Sequence, residues 1–112
     1  MESIEEKWVL VSHALKNRFG KSADLKAALF VIGLREWGQK KTKITKEEKL
    51  DLMNLAACKI LTDEGYFVVE HLDADGWPVW KQAKALPPMD AKQQEVFIKE
   101  HIYHYFVTER LL

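Results

Sequence analysis

The sequence is short of the features that usually tie a chain to a known chemistry. It has one cysteine, Cys58, which cannot form an internal disulfide and suits a reducing compartment. Its five glycines are scattered and two of its three prolines form a single break, Pro87-Pro88, before the last helix, so no low-complexity segment, internal repeat or interdomain linker is visible. The longest apolar run, Ala27 to Leu34, falls far below the roughly 20 residues needed to cross a bilayer. Lys plus Arg and Asp plus Glu are 17 each, so there is no net charge to draw in nucleic acid or an anionic membrane. Any such attraction has to come from a local patch. The N-terminal "MESIEEKWVL" is acidic and lacks a signal-peptide pattern. These absences predict a soluble cytoplasmic protein with no membrane partner.

Catalytic signatures are missing too. There is no nucleophile elbow, phosphate-binding glycine loop or dinucleotide fingerprint. Cys58 sits among Leu55, Ala56, Ala57 and Ile60, the surroundings of a small core residue rather than an activated thiol. The sequence therefore predicts a protein that is not an enzyme, with no catalytic residue and no cofactor.

What is present reads as one globular domain over residues 1–112. Apolar residues make up 47% and charged residues 30%. A chain of this length can bury about two thirds of its unfolded surface and fold without staples. Ser3 with Glu6, Thr45 with Glu48, and Asp90 with Gln93 fit or approximate the capping box, and Ser22 is a fourth candidate cap. Behind Ser3, the residues Ile4, Trp8, Val11, Leu15 and Phe19 form one helical stripe that ends near Gly20. From Ser22 to Gly38 the chain is apolar on most sides, as expected of the most buried helix. A third helix follows Thr45 and ends at Gly65, a natural C′ residue. The period then changes. "YFVVEHL" and "WPVWKQAKAL" flank Asp75-Gly76, a favoured pair for a tight hairpin turn, and a last helix starts after Asp90. The expected fold is α+β: three helices, an antiparallel β-hairpin and a C-terminal helix, α-α-α-β-β-α.

A regular hairpin places Tyr66, Val68, Glu70, Leu72, Trp77 and Val79 on one face, with either a two- or a four-residue loop. Phe67, Val69, His71, Trp80 and Gln82 then share the other face, with His71 and Trp80 as neighbours. The first face is expected to pack on the helices, with Trp77 as its anchor. In both registers Pro78 falls where a ladder N–H is not needed, which leaves the outer edge of that strand free.

This frame offers several candidate binding chemistries. With Gly76 as the sixth residue of a calcium loop, Asp73 and Asp75 fall on ligand positions, but the end positions are His71 and Gln82, so a plain turn is the better reading. His101 and His104 share a helix face. Zinc would need His13, His71, Cys58 or Glu100 to converge with them, and no spacing shows that, so no metal is assigned. Lys40, Lys41, Lys43 and Lys46, just before a helix N-terminus, form the best anion-binding patch.

Three helices followed by a hairpin resembles the element order of winged helix-turn-helix domains. That resemblance implies a nucleic-acid binder using the lysine cluster. Against it, Glu47, Glu48 and Asp51 open the third helix and Asp73 and Asp75 occupy the hairpin tip, where they would repel phosphate. The leading expectation is a protein-interaction or regulatory module. Its surface is expected to comprise Phe67, His71, Trp80, Tyr103 and His104, and its partner to be another protein or a second copy of the chain. Two arrangements stay open: the last helix covers the outer hairpin face, or that face is an exposed interface.

Overall fold

A computed structural model describes residues 3–38 and 43–112. Its elements are α1 (Ile4–Phe19), α2 (Leu25–Trp37), α3 (Lys46–Ile60), β1 (Phe67–Leu72), β2 (Pro78–Gln82) and α4 (Ala91–Thr108), so the chain adopts the expected α+β order. No helix among the described residues is long and apolar enough to cross a membrane.

The helix ends follow local chemistry. Ser3 caps α1 by accepting the Glu6 N–H, and left-handed Gly20 ends it. Thr45 with Glu48 and Asp90 with Gln93 form complete, reciprocal capping boxes on α3 and α4. The cap of α2 is Asp24 rather than Ser22: Asp24 Oδ1 accepts the Ala27 N–H at 2.7 Å, while Ser22 Oγ donates to Asp24 Oδ2 at 3.2 Å. A carboxylate one residue before the helix is the stronger acceptor, and it takes the serine as its support. Regular α3 bonding stops at Ile60, but the terminal turn continues to Gly65. There Gly65 N–H bonds Thr62 O and Tyr66 N–H bonds Leu61 O, a Schellman pair with Gly65 at C′ as expected.

All four helices feed one core. Val11 and Leu15, Ala28 and Ile32, Ala56 and Ile60, and Ile102 and Phe106 are buried together, with Tyr66 and Phe67 packed at the margin. Each large apolar side chain so buried contributes about 1.5–3 kcal/mol. α2 and α3 approach closely at Gly33, where an added Cβ would lie 2.2 Å from the Leu52 carbonyl oxygen. Across α1 and α4, Lys7 Nζ meets Glu100 Oε2 at 2.9 Å and Lys99 Nζ lies over the Trp8 ring. Cys58 is buried, and burial pushes its thiol pKa up, which suits its expected role as packing.

The hairpin departs from the regular ladder. Phe67 pairs with Gln82, Val68 with Lys81 and Val69 with Trp80, but beyond them His71 pairs with Val79 and Leu72 with Pro78. Glu70 is the extra residue of a β-bulge, and an extra residue reverses the faces of everything beyond it. Leu72 therefore joins Val69, Pro78 and Trp80 on the face towards the helices. His71 turns to the opposite face, so the expected His71–Trp80 neighbourhood is not formed. The tip is not a two-residue turn either. Asp73 O accepts Gly76 N–H, Asp73 N–H bonds Trp77 O, and only Gly76 takes a positive φ, the habit of a turn closed by a left-handed glycine. Since Asp73 and Trp77 are hydrogen-bonded, the next pair, Leu72 and Pro78, is not. Proline costs the ladder nothing there, as expected.

Candidate functional site

The bulge turns the hairpin's aromatic face onto the C-terminal end of α2 and the middle of α3. Trp77 stacks on Trp37 with ring centroids 5.2 Å apart and planes at 24°, so it does anchor the hairpin, through a residue at the last position of α2. Beside this pair lies a groove of about 210 Å³ lined by Trp37, Leu55, Val69, Leu72, Pro78 and Trp80, with Glu36 and Lys59 at its polar end. Leu72 is 63% exposed and Val69 is 49% exposed, so the apolar wall is not closed over by the rest of the chain. The indole Nε1 of Trp37 is buried without a hydrogen-bond partner among the described residues.

The groove continues past Leu55, Pro78 and Trp80 into a second hollow of about 310 Å³, which adds Asp51, Asn54, Asp73, Asp75 and Trp77. Asp73 Oδ1 is committed to the turn, accepting from the Asp75 and Trp77 N–H groups at 2.9 Å each. None of these three aspartates is in an ion pair with a described residue. One end of the site is thus apolar and aromatic, the other aromatic and anionic.

A polar cleft lies on the other side of α3, against α4. Tyr105 Oη donates to Glu36 Oε2 at 2.6 Å and accepts from Arg35 Nη1 at 2.8 Å, and Arg35 Nη1 also meets Glu109 Oε1 at 3.3 Å. Burial, reinforced by the Glu36 carboxylate, pushes the Tyr105 pKa well above the usual phenol range, so this hydroxyl is a donor and not a base. His101 is nine-tenths buried. Its Nδ1 lies 2.7 Å from the Phe97 carbonyl, which can only accept, so Nδ1 carries a proton. The other nitrogen, Nε2, is 3.2 Å from Glu64 Oε2, near enough for an ion pair though not aligned as a hydrogen bond. His104 Nε2 stands 3.4 Å from Asp63 Oδ2 at the exposed rim. These contacts tie α2 and the turn after α3 to α4. No three His, Cys, Asp or Glu side chains among the described residues are grouped to hold a metal ion.

The five residues expected to form an interaction surface do not form one patch. Trp80 lines the groove. Phe67 is drawn against the core, His71 lies on the outer hairpin face, Tyr103 packs at the core margin beneath Lys7 of α1, and His104 flanks the polar cleft. The last helix does not cover the groove, whose walls come from the hairpin, α2 and α3. Of the lysine cluster, Lys40 and Lys41 lie outside the described residues. Lys43 and Lys46 are exposed, and the nearby helix terminus is already occupied by its own capping box. Trp37 and Asn54 carry no signal of a site of their own in the sequence, and Asp51 stands out there only as an acidic residue at the start of the third helix. Asp51 and Asn54 share an exposed helix face at three-residue spacing, a weak signal, whereas nothing local marks Trp37 as the partner of Trp77. Comparison with protein-family models, curated proteins and solved structures finds no match to this chain.

Proposed function

We propose that the chain is a non-enzymatic protein-interaction module that docks a partner's extended segment in the groove between the hairpin and α2–α3. The observation that carries this reading is the exposed apolar lip, Leu72 and Val69, set beside Trp80 and the stacked Trp37–Trp77 pair. Tryptophans held rigid by stacking lose little entropy on binding and present large apolar area, which is why they dominate binding energy at interfaces. A groove of about 210 Å³ suits side chains rather than a folded domain, and the edge of β2 away from β1 pairs with no other strand among the described residues. The acidic tip repels phosphate, so duplex DNA is not the expected occupant.

Selection of displayed random peptides on the purified protein tests the reading. Sequences that bind the wild type should lose about tenfold or more in affinity for Trp80→Ala, the usual cost of an interface anchor. Leu72→Asp, a change at an exposed position, should do the same without loss of fold. Peptides that bind all three proteins equally would place the docking surface elsewhere.

A further inference from the structure

We infer that the segment taken by this groove carries a basic side chain, arginine above all, beside an apolar one, with the cation seated between Asp51, Asp73 and Asp75 against Trp77 and Trp80. The inference rests on the docking reading and adds the chemistry of the partner.

Three observations converge on it. Two distant parts of the chain, α3 and the hairpin tip, bring three carboxylates to one hollow of about 310 Å³ that no basic side chain among the described residues lines. Among the described residues Asp51 and Asp75 have no hydrogen-bonded or ionic partner for their carboxylates, so both are open to a cation brought by a partner. The walls of the same hollow are indole rings, whose faces attract cations, and Pro78 and Leu55 offer the aliphatic stem of a long basic side chain an apolar bed.

The geometry also narrows the kind of cation. The acidic groups are too far apart to be a metal site, since no three such side chains are grouped to hold an ion. A guanidinium suits better, because it is planar, stacks on indole and spreads five donors over separate acceptors. The adjoining groove of Trp37, Val69 and Leu72 then receives the apolar neighbour of the basic residue.

The test uses three capped pentapeptides, acetyl-Gly-Leu-X-Leu-Gly-amide, with arginine, norleucine or glutamate at X. Binding is followed through the indole N–H resonances of Trp77 and Trp80. The arginine peptide should bind about tenfold tighter than the norleucine peptide, the combined effect of exposed ion pairs and a cation–π contact. That preference should shrink at high salt, and the glutamate peptide should bind weakest. In the double variant Asp51→Asn, Asp75→Asn, the preference should vanish while norleucine binding persists.

Equal binding of the arginine and norleucine peptides at the two tryptophans overturns the inference and leaves the docking reading standing. An arginine preference that survives the double variant overturns the assignment of the cation to this hollow. If neither tryptophan resonance moves with any peptide, both readings fall.

Discussion

Two single residues answer to backbone constraints that the sequence does not advertise. Gly33 sits in the middle of α2, where glycine is a poor helix former, and its reason lies across the interface. A Cβ there would stand 2.2 Å from the Leu52 carbonyl oxygen and 3.0 Å from the Leu52 Cβ, and the first of these is backbone that no side-chain rotation can move. Gly33→Ala would gain about 1 kcal/mol of helix propensity and yet force α2 and α3 apart, for a net loss of about 1–2 kcal/mol. Denaturant unfolding measures it, and a midpoint at or above that of the wild type would show that the helices separate at little cost. Arg110 is the opposite case. It takes φ 56° at the end of α4, where Arg110 N–H bonds Val107 O and Leu111 N–H bonds Phe106 O, and Leu111 is buried behind it. This is a C′ position filled by a residue with a Cβ. Arg110→Gly should stabilise the protein by about 0.5–1 kcal/mol, since the Arg18 contact is to the Arg110 backbone carbonyl and survives the change. A lower melting temperature for this variant would contradict that account.

Among the elements, helices were legible and the hairpin was only half so. Caps are short-range chemistry, so Ser3, Thr45, Asp90, Gly20 and Gly65 could be read from their neighbours, and the single slip, Ser22 for Asp24, was between two residues of one motif. A β-bulge has no such signal. Nothing in "VVEHL" marks Glu70 as the residue to be left out of the ladder. The choice belongs to packing, because it brings Leu72 round to join Val69 and Trp80 facing Trp37 and Leu55. The tip depends on Asp73, whose one oxygen accepts two backbone N–H groups. Asp73→Ala should cost about 1 kcal/mol and speed amide exchange at Asp75 and Trp77 while leaving α1 and α4 protected. Asp73→Asn keeps an acceptor oxygen and should recover most of the protection. Unchanged exchange at Trp77 in the alanine variant would mean that the Trp37 stack, not the turn, holds the tip.

At the scale of the whole molecule, both faces of α3 are used, and neither use follows from its own sequence. One face floors the groove with Leu55, whose walls come from α2 and the hairpin, so its three tryptophans meet only in the folded chain. The other adjoins the network centred on Tyr105, a residue that the sequence marks only as part of an apolar helix face. Tyr105 joins α4 to α2 by donating to Glu36 and accepting from Arg35, with Lys59 Nζ of α3 3.7 Å from Glu36 Oε1. Its pKa is raised in the folded protein, first by burial and then by Glu36, against 10.0 for a free tyrosine. Below pH 10 the hydroxyl is protonated in both states, and the network's contribution is fully present. Above pH 10 the unfolded chain releases this proton while the folded chain retains it, so the folded state is progressively disfavoured until the folded hydroxyl itself ionises. The wild type should therefore lose stability more steeply above pH 10 than Tyr105→Phe does. At pH 7 the order is reversed: the phenylalanine variant should be about 1 kcal/mol less stable, because Glu36 and Arg35 lose a shared partner. Urea unfolding of the two proteins at pH 7, 9 and 10.5 checks both signs. Parallel curves across that range would show that Tyr105 ionises equally in the two states and that the network does not shield it.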